Sequence, residues 1–266
     1  MATEALLECG DEQLLGELAS GRRIGALAVG LHLAPGAAFT AVRVTDGLLH
    51  GELTGIADAT AADVLLVPAD DGGLYAVEAD AAQITRRTSF DLTRPVATVR
   101  LDGAAGRRLG EAEPAVRRAL LAGAGLLASE QLGVADWTLT ETVRYLKERK
   151  QFNRPVGGFQ ALKHRLAQLW LEVVNLRAAA RNAADTLANG DLGDEVPVAV
   201  AVAQAYAAPV AVRAAEEALQ LHAGIGMTWE HPVHLYLKRA KADSIAYGTA
   251  GAHRAALAEL VDLQAP

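Results

Sequence analysis

The sequence predicts an α+β fold, an antiparallel β domain followed by a C-terminal four-helix up-down bundle. Two observations carry that expectation. Between residues 22 and 101 the apolar residues come in short runs separated by turn signals: Pro35-Gly36, Asp46-Gly47, Asp70-Asp71-Gly72-Gly73 and Asp102-Gly103. That is the spacing of strands joined by tight turns. From about residue 112 the period becomes helical. Phe159, Leu162, Leu166, Leu169, Val173, Leu176 and Ala180 recur at three and four, which lines them along one face of a helix.

Taken in order, residues 3–19 read as one short helix, and 1–21 as a small N-terminal helical remnant. The β domain covers 22–108, with apolar runs at 24–29, 39–44, 48–53, 64–67, 74–77 and 96–101. Val42 and Val44 on one side of Asp46-Gly47, with Leu49 and Leu53 on the other, mark a hairpin; its favoured turn needs positive φ at both central residues, and Asp-Gly supplies them. The bundle covers 109–266. Glu113-Pro114 suits a first helical turn, where proline's missing N–H costs nothing and a carboxylate meets the positive helix end. The first helix runs to Leu146 and the 159–180 stripe makes the second. Asn189-Gly190 and Gly193 break the chain, Pro197 opens a third helix that reaches Leu219, and 242–263 make a fourth. Antiparallel packing of four such helices gives a bundle.

A net charge of −7 and a pI near 5.5 argue against a general nucleic-acid or anionic-membrane binder. The charge is uneven: from Arg144 to Arg181 there are nine Lys/Arg against two Glu, so that region could attract phosphates, although a solvated helix face produces the same count. Cys9 is the only cysteine, which leaves no internal disulfide and no zinc-thiolate set. The N-terminus is acidic and mixed in pattern, without a basic segment followed by an apolar one, and a reducing cytoplasm is the default expectation.

The stretch Tyr145-Leu-Lys-Glu-Arg149-Lys-Gln151-Phe152 joins the basic end of one apolar-periodic segment to the start of the next. Arginine, a polar amide and an aromatic ring within four residues can hold a nucleotide diphosphate, since a guanidinium forks onto phosphate oxygens and the ring offers a base a stacking face. The same residues also suit a charged helix end with Phe152 packed into the core.

Three motifs together resemble the acyl-CoA dehydrogenase family. The 149–164 stretch, from Arg149 through Phe159-Gln160 to His164, resembles its Arg-x-x-Phe-Gly…Phe-Gln-x-x-x-His signature. Gln220-Leu-His222-Ala-Gly224-Ile-Gly226 resembles its Gln-x-x-Gly-Gly-x-Gly turn, and Lys238 through Gly248-Thr249 to Arg254 resembles its closing motif. The resemblance is strong over 112–264 and faint over 22–101. It implies an N-terminal helical domain, a middle β domain and a C-terminal four-helix bundle, and the use of FAD to oxidise the α–β bond of an acyl-CoA thioester. It further implies that Arg149, Gln151, Phe152, Gln220 and Gly224 clasp the ADP end of FAD seated in another subunit. A bare glycine at 224 lets backbone approach phosphate; Gly224 and Gly226 would equally serve a helix C-terminal turn. Ala223 replaces the first of the family's paired glycines.

Other positions depart from the family. Its closing motif reads Tyr-Glu-Gly-Thr, with the glutamate as catalytic base; here Ala246-Tyr247-Gly248-Thr249 places a phenol there, and an ordinary tyrosine pKa of about 10 makes a poor base at neutral pH. The alternative base position aligns to Gly123, and Glu130 two turns on suits a structural role. The flavin loop corresponds loosely to His32-Leu-Ala-Pro35-Gly36-Ala-Ala-Phe39, and the Trp-Ile-Thr-Asn segment to Gly55-Ile56-Ala57-Asp58. The N-terminal helical domain is largely absent from the expected layout. His231 and His234 are three apart, but no Asp, Glu or Cys is placed by sequence to complete a metal site, so neither a metal nor a catalytic residue is expected. The resemblance then implies a non-catalytic subunit that is active only with a catalytic partner in a heterotetramer. Such partners occur among actinobacterial steroid and lipid catabolic enzymes, which act on acyl-CoA. A flavin-free scaffold or regulatory homologue and a flavin monooxygenase of the same fold are the alternatives.

Overall fold

The 3–19 segment is two helices rather than one. In the computed structural model α1 (Ala2–Cys9) ends at Gly10, whose φ of 72° lets its N–H return to the Leu6 carbonyl. Asp11 then caps α2 (Glu12–Ala19) by accepting from the Leu14 N–H at 2.9 Å, a bond that satisfies one of the orphaned donors of a first turn. The structure describes residues 1–189 and 195–263. The expected breakers Gly190 and Gly193 therefore lie outside the described residues. Two units can be distinguished, Met1–Gly123 and Ala124–Pro266.

The first unit holds two four-stranded sheets. One has the order β1 (Gly25–Leu27), β4 (Val64–Pro68), β5 (Gly73–Glu78), β8 (Arg107–Glu111); the other runs β2 (Arg43–Thr45), β3 (Leu48–Ala57), β7 (Val96–Ala105), β6 (Gln83–Arg87). The Asp46-Gly47 turn joins β2 to β3 with φ of 50° and 75°, as expected of a two-residue hairpin. The named strand pairs are antiparallel except one, β1 on β4, which is parallel. Between them the chain leaves to build β2 and β3 of the other sheet, the long excursion that parallel neighbours require. Leu65, Val67 and Val77 of one sheet share a core with Leu49, Leu53, Ile56, Val99 and Leu101 of the other.

Two strands, β6 and β8, have no counterpart among the apolar runs. Both lie at sheet edges, where charged residues guard against stray pairing; Gln83-Ile-Thr-Arg-Arg87 and Arg107-Arg-Leu-Gly-Glu111 are of that kind.

The helical part begins with α3 (Ala112–Glu148), which passes through both units, followed by α4 (Gln160–Asn189) and α5 (Glu195–His222). In the second unit Leu169, Val173, Leu176 and Ala180 of α4 pack with Ala128, Ala135 and Leu139 of α3 and Ala203, Ala207 and Val210 of α5, so the stripe read from the sequence is the buried face. By length and composition, α5 and the turn after it pass the test for a membrane span, but 56% of that window is buried within the protein. The fourth helix expected at 242–263 is the shorter α7 (Ala250–Leu260), and a further helix that the sequence reading lacked, α6 (Val233–Asp243), precedes it. Tyr247 and Gly248 between them take φ of 53° and 99°, a left-handed geometry that no right-handed helix continues through.

Candidate cofactor clasp

The end of α3 turns into a two-residue hairpin. Strands β9 (Lys150–Gln151) and β10 (Arg154–Pro155) pair across Phe152-Asn153, with φ of 51° and 59°. This is the left-handed pair a tight hairpin demands, and an aromatic residue adopts it only at a cost. Asn153 occupies the place of the family motif's glycine, and Asn is among the residues that tolerate this region. The ring of Phe152 is 86% exposed, so the packed-core alternative for it is excluded. Its one aromatic neighbour among the described residues is Phe159, edge-on at 6.2 Å, which also carries the Arg154 guanidinium 3.9 Å from its ring centre.

Arg149, the first residue past α3, is exposed. Arg144, Arg165 and Arg177 pair with Glu141, Glu217 and Asp136, whereas the Arg149 side chain has no hydrogen bond or ion pair among the described residues. Gln151 beside it is also exposed. An unpaired guanidinium, an amide and a bare ring thus stand together on one short turn.

Gln220 lies exposed in the last turn of α5, and Gly224 in the tight turn that follows. A β-carbon on Gly224 would meet nothing within 4 Å, while one on Gly226 would press on the Leu219 carbonyl and the His222 side chain at 3.0 Å. Packing therefore accounts for Gly226, whereas at Gly224 the protein leaves open the space that a ligand's close approach would use. Ala223 carries a φ of 54°. The two clusters are joined through Tyr145, one turn before Arg149, whose ring stacks on His222 at 4.5 Å.

Behind that stack lies a grouping that the sequence reading missed. His231 meets Glu141 and His222, their ligating atoms all within 4.8 Å of one another. His234, the expected companion of His231, instead lies edge-on against Trp229 at 4.6 Å. No local spacing in the sequence signals this grouping, because Glu141, His222 and His231 meet only when the end of α5 and the turn after it pack on α3. Burial lowers the pKa of His222, and the Arg144 hydrogen bond holds Glu141 below the usual carboxylate range.

Tyr247 occupies the base position at the α6–α7 turn, its carbonyl accepting from His253 Nε2 at 2.9 Å. Glu130 forms an ion pair with Arg239 at 3.3 Å, as befits a structural residue. In the first unit, Gly36 to Phe39 line a cleft of about 490 Å³ with Glu113, Val116, Arg117 and Leu120. The loop itself brings only apolar side chains to that cleft, none able to hydrogen-bond a flavin.

Comparison with known proteins identifies the family of the fold. The model of the acyl-CoA dehydrogenase C-terminal domain matches residues 114–261, more than half of the chain. Acyl-CoA dehydrogenase IpdE2 of Mycobacterium tuberculosis is 36% identical over 233 residues, 86% of this chain but only 60% of that protein's length. The ChsE4-ChsE5 complex from the same organism superposes with a TM-score of 0.84 at 30% identity, covering 100% of this chain and 74% of the matched one. The Tcur3481-Tcur3483 steroid ACAD superposes at 0.82, also at 30% identity, covering 98% of this chain and 74% of the matched one. A β-sheet region followed by long C-terminal helices, matched along its whole length, places this chain in the acyl-CoA dehydrogenase family.

Proposed function

We propose that this chain is the supporting subunit of a heteromeric, cytoplasmic, FAD-dependent acyl-CoA dehydrogenase, clasping the ADP end of FAD seated in a catalytic partner. One observation carries the reading: Phe152 is 86% exposed on a strained turn beside an unpaired Arg149, an arrangement of no evident use to the isolated fold. Members of the family typically bind FAD, and the residues present suit its ADP half. The Arg149 guanidinium would take the diphosphate, with Gln151 and Gln220 offering amides. The Phe152 ring gives the adenine a face, and Gly224 leaves backbone accessible to phosphate. When bound, the flavin supplies the hydride acceptor for α,β-dehydrogenation. Removal of the substrate's α-proton falls to the partner, because residue 247 is a phenol and Glu130 is engaged by Arg239.

Two solved relatives support the partnership, since the names ChsE4-ChsE5 and Tcur3481-Tcur3483 each pair two chains. The second is described as a steroid ACAD, which favours an acyl-CoA with a bulky polycyclic acyl group. The expected assembly is a heterotetramer with two copies of each chain.

Cofactor stoichiometry tests this. Purified alone, the chain should hold little FAD; with the chain that co-purifies with it, flavin absorbance against protein mass should give one FAD per heterodimer. One tightly held FAD per chain in the isolated protein would overturn the heteromeric reading, and a colourless complex would favour a flavin-free scaffold.

A further inference from the structure

Three elements of the C-terminal unit converge on a buried ring nitrogen. His222, the last residue of α5, is 0% exposed. Its Nδ1 lies 2.7 Å from the Ala218 carbonyl, which can only accept, so the ring proton belongs on Nδ1 and the lone pair on Nε2. Among the described residues Nε2 has no hydrogen-bond partner, a costly condition for a buried polar atom and one that calls for an explanation. The groups around it are Glu141 and His231. His231 Nε2 stands 3.6 Å from Glu141 Oε1, with the two side chains only 12% and 18% exposed, in that order.

We propose that Glu141, His222 and His231 bind a divalent transition ion of the zinc class, clipping the 220–231 turn to α3. Two imidazoles and one carboxylate form a donor set suited to such an ion, with a further position left for water. Ligands at about 2.0–2.2 Å from one ion stand roughly 3–4 Å apart, so the present spacing, all within 4.8 Å, needs only a small closing movement.

The protonation states agree with the geometry. Burial disfavours a charged His222, and Arg144 keeps Glu141 ionised. The Arg144 guanidinium bonds both carboxylate oxygens. It tempers the local negative charge, yet it also gives the carboxylate the outer hydrogen bond that metal-bound carboxylates have. His231 needs one adjustment. Its Nδ1 now accepts a long 3.3 Å bond from the Val233 N–H, which puts the proton on Nε2; ligation moves that proton to Nδ1 and gives up the contact.

The test uses the full chain without a histidine tag, freed of metal by chelation and titrated with Co²⁺ and then Zn²⁺. One equivalent of Co²⁺ should produce visible ligand-field bands, Zn²⁺ should abolish them, and Zn²⁺ should raise the melting temperature. His231→Gln and Glu141→Gln, made at partly exposed positions and checked for fold by circular dichroism, should each weaken Zn²⁺ binding at least about tenfold. His50→Gln, altering a histidine on β3, should leave binding unchanged. Absence of Co²⁺ bands, or wild-type affinity in both folded cluster variants, would overturn the proposal. No step needs flavin, so the result is independent of the clasp.

Discussion

Arg149 and Phe152 show how a residue can be spent on something other than its own fold. Their side chains contribute almost nothing to packing, and Phe152 holds a left-handed backbone that costs a non-glycine residue about 1–2 kcal/mol. Arg149→Ala should therefore leave the melting temperature nearly unchanged while weakening FAD retention by the complex. A charge-assisted phosphate contact is worth ~1.5–3 kcal/mol, about ten- to a hundred-fold in affinity. Phe152→Gly should relieve the turn and slightly stabilise the fold, with flavin loosened in parallel. If both variants kept FAD as tightly as the parent complex, the two residues would be plain surface. These positions were legible in the sequence because their signal is local, an Arg, an amide and a ring on one turn. The Glu141, His222 and His231 grouping was not legible, because tertiary packing alone brings the end of α5 and the turn before α6 onto the C-terminal part of α3.

At the scale of elements, α3 offers an internal comparison between two glycines. Gly133 is exposed, and a β-carbon there would meet nothing within 4 Å; Gly125 is buried, and its β-carbon would press on Leu187 and, at 3.0 Å, on Val200. Gly133→Ala should stabilise the protein by about 0.5–1 kcal/mol through helix propensity. Gly125→Ala gains the same propensity but overpacks the contact with α4 and α5, where the cost is about 1–3 kcal/mol, so it should come out net destabilising. Denaturant midpoints of the two variants measure the difference, and equal gains would mean that the Gly125 contact is soft. Periodicity made α3, α4 and α5 readable, and Asp46-Gly47 did the same for the β2–β3 hairpin. It failed at β6 and β8, whose edge positions bury too little to leave an apolar pattern. It also missed α6 and started the last helix at 242 instead of 250, because the break falls at Tyr247, a residue that carries no turn signal, and only Gly248 after it hinted at the stop.

Over the whole chain, stability should depend on pH through histidines buried in the C-terminal unit. His222 and His253 are 0% and 3% exposed, and burial depresses the pKa of each, against the opposing bonds to the Ala218 and Tyr247 carbonyls. Above an ordinary histidine pKa of about 6.5 both rings are neutral in the folded and the unfolded chain, and their contribution to stability is fully present. Below it the unfolded chain takes up protons that the folded chain refuses, so acid favours unfolding until the depressed folded values are reached. Each group adds a slope of at most about 1.4 kcal/mol per pH unit, and the two act in the same direction, so stability should fall as the pH drops below about 6.5, before most carboxylates titrate. Urea unfolding of the chelator-treated chain at pH 7.5, 6.5 and 5.5 measures this. A shallow loss from 7.5 to 6.5 followed by a steeper fall to 5.5 is the expected shape. Constant stability down to pH 5.5 would mean that the folded protein accommodates imidazolium at both sites, and that their burial does not keep the rings neutral.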